Sequence, residues 1–234
     1  MTQNALPVWC ENLAVFDTET TGIDTAHSRI VTATIAIVTA DGSVSERHDW
    51  FINPGVEIPE RATAVHGVTT AQAVAGGMDA ETGIRQIVER LREVFSRGLP
   101  LVAYNAPYDL DMVRNEALRY GIAPIDRPSP VLDPLVIDKA VDKYRKGKRT
   151  LEAASAEYGV QLGNAHDAGE DAIAGGRVMQ ALAVRHAAKL PDDLDTLHAM
   201  QVKWAAEQAA SFQEYMRRAR DPEFVADGQW PERF

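Results

Sequence analysis

An α/β fold built around one core is predicted for this 234-residue chain, and three observations predict it. Two apolar runs meet at a tight turn, apolar strands and helical segments then alternate, and a hydrophobic fraction of 45% suits a packed globule. In order, residues 13–16 form an apolar run that reads as a buried strand. Residues 30–38 and 44–52 read as two strands joined by Asp41-Gly42-Ser43, a strong hairpin signal, and with the first strand they make an antiparallel meander. Next come a helix over 81–95, a strand over 99–104, a helix over 110–120, a short strand near Val131 and further helices, one starting near Thr150 and one reaching about His186. Pro191 stops the last of these, and 192–220 reads as one long helix of about 40 Å. The chain thus divides into a domain over 1–190 and an appendage over 191–234.

The acidic residues carry the chemistry. Asp17 and Glu19 end the first apolar run, and residues two apart on a strand share a face, roughly 6.5 Å apart. Like charges at that spacing repel, more so when buried, and no lysine or arginine occurs between Leu6 and Thr25 to offset them. A bound divalent cation is the economical answer. Asp109 follows the strand over 99–104 and opens the next helix, while Asp171 lies in a later helix whose entry carries His166. Five helical positions turn through about 140°, so His166 and Asp171 face one pocket only if His166 belongs to the entering loop. Carboxylate oxygens suit Mg2+ or Mn2+ rather than zinc, and four carboxylates are enough for two ions roughly 4 Å apart, which clamp attacking and leaving oxygens in phosphoryl transfer.

Phe16-Asp17-Thr18-Glu19-Thr20-Thr21-Gly22, then Asn105 with Asp109, then His166 with Asp171 follow one another in the order Asp-x-Glu, Asn-x-x-x-Asp, His-x-x-x-x-Asp. Over residues 13–187 the chain resembles the DEDDh 3′–5′ exonucleases, most of all the DnaQ-like branch typified by the proofreading epsilon subunit of bacterial DNA polymerase III. The resemblance implies a ribonuclease-H-like fold: a mixed five-stranded sheet, antiparallel meander plus parallel strands, flanked by helices. It also implies that Asp17, Glu19, Asp109 and Asp171 hold two ions, with Asp17 bridging them. His166 would be the general base that takes a proton from the nucleophilic water, a role worth roughly 10²- to 10⁴-fold. The implied reaction releases nucleoside 5′-monophosphates from a 3′ end.

By the same resemblance Thr20, Thr21, Gly22 and Ile23 approach the terminal nucleotide, through backbone groups and an apolar wedge, and glycine permits such close approach. Against this stands an ordinary strand-to-loop turn. His66-Gly67-Val68-Thr69 resembles a family segment near the substrate and is equally a helix entry. Asn105 holds local geometry or substrate. Relatives often carry His-Asn where this chain has Tyr104-Asn105, so Tyr104 either alters base or sugar preference or is a core aromatic. Asp167 is better read as a helix N-cap, with Glu170 at capping-box spacing, and Asp111 and Asp24 match no motif, so all four stay outside the metal shell.

A net charge of −10 is unusual for a protein that grips phosphates. Metal would neutralise part of the acid excess, and an enzyme of strand ends grips only a few nucleotides. One basic cluster, Lys139, Lys143, Arg145, Lys146, Lys148 and Arg149, could steer a strand or be a solvated turn. The single cysteine excludes an intramolecular disulfide and a cysteine-rich zinc site and fits a reducing cytoplasm, and no apolar run approaches the roughly 20 residues of a membrane span. The expected partner is a nucleic-acid 3′ end, single-stranded DNA preferred, with RNA trimming and a non-catalytic scaffold as alternatives; all five catalytic positions being present argues against the scaffold. Leu194, Leu197, Trp204, Phe212, Tyr215, Met216 and Ala219 trace a discontinuous stripe on the long helix. It either packs on the chain's own domain, makes a dimer or docks a polymerase or other partner, and the tail over 221–234 is a strap or a recognition peptide; oligomeric state is left open.

Overall fold

In the computed structural model, which describes residues 5–163 and 167–233, the first apolar run extends into polar sequence. Strand β1 spans Asn12–Thr20, because residues past Phe16 still find backbone partners: Asp17 lies opposite Thr34 and Glu19 opposite Thr32 on β2, Ile30–Thr39. The expected hairpin joins β2 to β3, Val44–Asn53. Its turn is closed by the Asp41 carboxylate, which accepts the Ser43 N–H at 3.0 Å and the Thr39 and Ser43 hydroxyls at 2.6 and 2.7 Å, while Gly42 takes φ +77°.

Helices α1, Glu60–His66, and α2, Thr70–Gly76, follow, and a two-residue strand β4, Met78–Asp79, runs parallel to β3. This strand makes six where five are expected, giving the order β4-β3-β2-β1-β5-β6. It was invisible because two residues carry no periodicity; its entry needs Gly77, where any Cβ would collide with the backbone of Ile52 and Asn53. Helix α3, Ala80–Ser96, leads to β5, Leu101–Val102, which pairs parallel with β1. Helix α4, Ala106–Arg119, begins four residues earlier than the 110–120 reading, since Pro107 is well placed in a first turn. The second parallel strand, β6, Val131–Leu132, precedes α5, Pro134–Val141, α6, Leu151–Tyr158, and α7, Ala168–Arg185.

Alternation along β1 builds a core on each sheet face. Ala14 and Phe16 pack with α3 and α4, whereas Leu13 and Val15 pack with α5, α6 and α7. At Gly176 a Cβ would stand 2.5 Å from Val15 Cγ1, so glycine is what lets α7 lie tight against the sheet.

The last helix, α8, spans Leu194–Ala219 and starts at Asp193, whose carboxylate accepts the Thr196 N–H at 2.7 Å. Its first half is pinned to β6 by the fully buried Gln201, whose side chain accepts the Asp133 N–H at 2.7 Å and donates to the Val131 carbonyl at 3.0 Å. Leu197 is buried and Trp204 packs on both cores, but Phe212 and Tyr215 stay exposed. The tail returns to the body: Trp230 is buried, and Arg233 donates to Asp111 through its backbone N–H at 2.7 Å and Nε at 2.8 Å. No described helix is long and apolar enough to cross a membrane.

Candidate active site

Asp17 and Glu19 lie on the sheet face covered by α7, continuing the Leu13 and Val15 row beyond its apolar part. Asp171 comes from the first turn of α7. Oxygens of Asp17, Glu19 and Asp171 all lie within 4.8 Å of one another. Asp109 arrives from the other side of the sheet as the fourth residue of α4; it is 2% exposed and accepts the Thr18 hydroxyl at 2.7 Å. Three of the four expected carboxylates therefore share one cluster, and the charge of the fourth, Asp109, acts on both Asp17 and Glu19. His166 lies outside the described residues.

Burial is the largest influence on each of these groups and opposes its ionisation. Burial, then Asp109, Glu19 and Asp171, hold the Asp17 carboxyl well above its usual range. Burial and the charges of Asp171 and Asp109 push Glu19 up to about 8. Burial raises Asp109, only partly offset by its bond from Thr18. Among the described residues no lysine or arginine forms an ion pair with Asp17, Glu19 or Asp109, and the donors are all carboxylate oxygens. Such a set fits a hard divalent cation.

A pH dependence follows. An unfolded carboxyl titrates near 4.3, so between there and about 8 the folded metal-free chain binds more protons than the unfolded one, and stability falls as pH rises. The expected result is a lower melting temperature in EDTA at pH 8.5 than at pH 5.5, recovery on adding Mg2+ or Mn2+, and a flatter profile for Glu19→Gln. Equal melting at both pH values without metal would contradict it.

Tyr108, which the charges of Asp109, Glu19 and Asp17 reach, ties the turn after β1 to α4. Thr20 donates to the Gly22 carbonyl at 2.8 Å and shares a short bond with the Tyr108 hydroxyl; Tyr108 in turn reaches the same carbonyl at 2.9 Å. The Thr21 hydroxyl accepts the Arg29 N–H at 2.9 Å, and a Cβ at Gly22 would sit 3.1 Å from Ser28 Oγ, so this turn is tied in place. Ile23 projects from it 88% exposed. His66 ends α1, its Nδ1 accepting the Val68 N–H at 3.2 Å, and it lines a cavity of about 570 Å³ together with Thr32, Thr34, Arg47 and Asp167. Because Thr32 and Thr34 pair with Glu19 and Asp17, that cavity adjoins the cluster. Asn105 takes the left-handed conformation, φ 68° and ψ 50°, at the head of α4. Tyr104 donates to the Arg149 carbonyl at 2.8 Å, tying β5 to the loop before α6. Asp167 caps α7 by accepting the Gly169 and Glu170 N–H groups, and Glu170 stands 3.8 Å from Arg47.

Three supporting residues escaped sequence reading. Thr18 orients Asp109, and Arg47, bonded to Asp49 at 2.8 Å, crowds the space beside Gly169 at the start of α7. Asp133, fully buried, accepts the N–H groups of Asn105 and Ala106 at 3.0 Å and of Leu135 at 2.9 Å, capping α4 and α5 at once. Its Asp-Pro context announces the cap of α5, but nothing local announces the bond to α4.

Residues 14–179 match the sequence model of the RNase_T exonuclease family. A DNA polymerase III subunit epsilon-like protein of Rhodobacter capsulatus is 36% identical over 150 residues, which is 63% of this chain and 20% of that protein. A PolC-type DNA polymerase III of Lacticaseibacillus paracasei is 28% identical over 176 residues, 75% of this chain and 11% of the relative. This chain thus spans a fifth or less of the length of these curated relatives. Among solved structures, exonuclease I superposes with a TM-score of 0.63 at 18% identity, covering 87% of this chain and 46% of the other. The E. coli enzyme in complex with a dT13 oligonucleotide gives 0.62 at 19% identity, over 76% and 42%. These likenesses show the ribonuclease-H-like fold.

Proposed function

Since this chain belongs to the exonuclease family, we propose that it hydrolyses the terminal phosphodiester at the 3′ end of single-stranded DNA, releasing nucleoside 5′-monophosphates. The observation that carries the reading is the cluster of Asp17, Glu19 and Asp171 with Asp109 beside it, an all-oxygen donor set with no basic partner among the described residues for Asp17, Glu19 or Asp109. These four would hold two Mg2+ or Mn2+ ions. When bound, such ions neutralise the carboxylates and stabilise the charge that builds on the phosphoryl oxygens.

The chain's own groups do the rest. His166, in the segment entering α7, accepts the proton of the attacking water. The new P–O bond forms as the P–O3′ bond breaks, and the departing O3′ takes a proton from solvent, so the shortened strand leaves with a 3′-hydroxyl. The cavity beside Asp17 and Glu19 receives the terminal nucleotide, with His66 and Arg47 on its wall. The high pKa of Glu19 makes occupancy by metal, and hence rate, rise with pH toward neutrality. A polymerase or other protein partner is part of this proposal, because one relative is named a DNA polymerase III subunit epsilon-like protein and another a PolC-type DNA polymerase III.

The test is a time course on 3′- and 5′-labelled single-stranded DNA and matched RNA, with Mg2+, Mn2+ or EDTA. Metal-dependent shortening from the 3′ end with faster loss of DNA is the expected result; cleavage from the 5′ end, or none with any metal, overturns it. His166→Ala is expected to lower kcat by roughly 10²- to 10⁴-fold with little change in KM, and a change confined to KM would remove it as the base.

A further inference from the structure

The basic cluster over 139–149 divides into two kinds of residue. Arg145 and Arg149 both bond the buried Asp138 carboxylate at 2.6 Å, with the Tyr158 hydroxyl on its other oxygen at 2.7 Å, so these two arginines are occupied in holding the loop. Lys139 and Lys143 form no ion pair among the described residues and face α8. There they line a groove of about 590 Å³ whose opposite wall carries Trp204, Phe212 and Tyr215. Phe212 and Tyr215 are 52% and 49% exposed, and Phe224 of the tail braces Phe212 edge-on at 5.4 Å. The acid on that wall, Glu207, stands 3.9 Å from Lys203.

The groove does not end there. A second cavity of about 210 Å³ shares Lys139, Gln208 and Phe212 with it and is bounded at its far side by Asn105 and Pro107. Those two residues begin α4, the helix that carries Asp109. In a chain of net charge −10, a path with two lysines outside any ion pair among the described residues and three aromatic rings, running to the start of the helix that carries Asp109, has a definite chemical complement. Lysines attract phosphates, and aromatic faces stack bases of any sequence. An acidic peptide would satisfy the charge but would not account for the continuity with Asn105.

We propose that this groove binds the single strand on the 5′ side of the scissile phosphodiester, with phosphates at Lys139 and Lys143 and bases against Phe212 and Tyr215. The inference rests on the nuclease reading and adds to it a reason for strand length to matter.

The test measures anisotropy of 5′-labelled oligothymidylates in EDTA, one of about 4 and one of about 12 nucleotides, and shortening of the same strands in Mg2+. Wild type is expected to bind the longer strand about tenfold tighter, with a steeper salt dependence. Lys143→Glu, Phe212→Ala and Tyr215→Ala combined, all at exposed positions, are expected to bring that ratio to about one and to reduce the salt slope by about one. A ratio preserved in the triple variant overturns the groove. So does a wild type that binds and shortens both strands without regard to length, an outcome that leaves the nuclease reading standing. An aspartate-rich peptide that binds wild type but not the variant, with the oligonucleotide ratio unchanged, assigns the groove to a protein partner instead. If wild type neither binds nor shortens either strand, the nuclease reading fails and the groove's assignment fails with it.

Discussion

Asp17→Asn is expected to abolish hydrolysis and, in the same protein, to raise the stability of the metal-free fold. The two effects have one cause. Asp17 lies within 4.8 Å of Glu19 and Asp171 oxygens, and its carboxyl is held well above the ordinary range first by burial and then by Asp109, Glu19 and Asp171. Asparagine keeps the shape and strand pairing opposite Thr34 but removes one negative charge from the cluster. Without metal that relieves repulsion, and about 1 kcal/mol gained would appear as roughly 2–4 °C in melting temperature for a chain of this size. With metal the variant lacks one of the four carboxylates that would hold the ions. Losing several kcal/mol of charge stabilisation corresponds to a rate at least about 10³-fold lower. Single-turnover hydrolysis and thermal melts in EDTA at pH 8 check both halves. An unaltered rate would sink the metal role, and a lower melting temperature in EDTA would mean that the Asp17 carboxylate holds the fold together.

Asp133→Ala is expected to cost stability first and activity as a consequence. Its carboxylate is fully buried and receives three backbone N–H groups, from Asn105, Ala106 and Leu135, with the Trp230 indole N–H at 3.4 Å. Alanine leaves those donors in the interior with no acceptor supplied by its side chain, at about 1–3 kcal/mol each and less than additively. A total of roughly 3–5 kcal/mol would be a large share of the roughly 5–15 kcal/mol that folded domains possess. The melting temperature should fall by about 10 °C or more. Asn105 itself makes no side-chain cap at the start of α4, so the lost acceptor also frees the turn that places Asp109. A displacement of about 1 Å there is enough for a roughly 10²-fold loss in kcat/KM measured below the transition. Melting within a degree or two of wild type would show that Asp133 is not the anchor of this turn. Asp133→Asn separates shape from charge: it fills the same space but turns one of its acceptor oxygens into a donor group facing backbone donors, so it should fall between wild type and alanine.

Much of this was legible from local sequence. Alternation on β1 put Asp17 and Glu19 on one face, and the Asp-Gly-Ser turn joined β2 to β3 in the expected hairpin. The N-cap at Asp167 was likewise readable, because a cap is a bond to a backbone group two or three residues away, and the helix expected near Thr150 begins at Leu151. Strand β4 was not readable: two residues show no period, and its pairing depends on the close backbone passage at Gly77.

What the sequence by itself determined, then, is whatever is set within a few residues: the strands and helices long enough to show a period, which face each acid takes, and the order of three motifs. Only the tertiary structure decided that Asp109 reaches the cluster from the opposite face of the sheet, held by Thr18 across 91 positions, and that Asp133 caps α4 from 27 to 28 positions away. It also decided that Arg145 and Arg149 are consumed by Asp138 while Lys139 and Lys143 are left facing a groove, and that Trp230 and Arg233 fold back onto Asp133 and Asp111. The physical reason is the range of the forces. Backbone dihedral preferences and helical or pleated periods act between neighbours, whereas which buried carboxylate meets which donor depends on how the two sheet faces pack, and no local pattern records that.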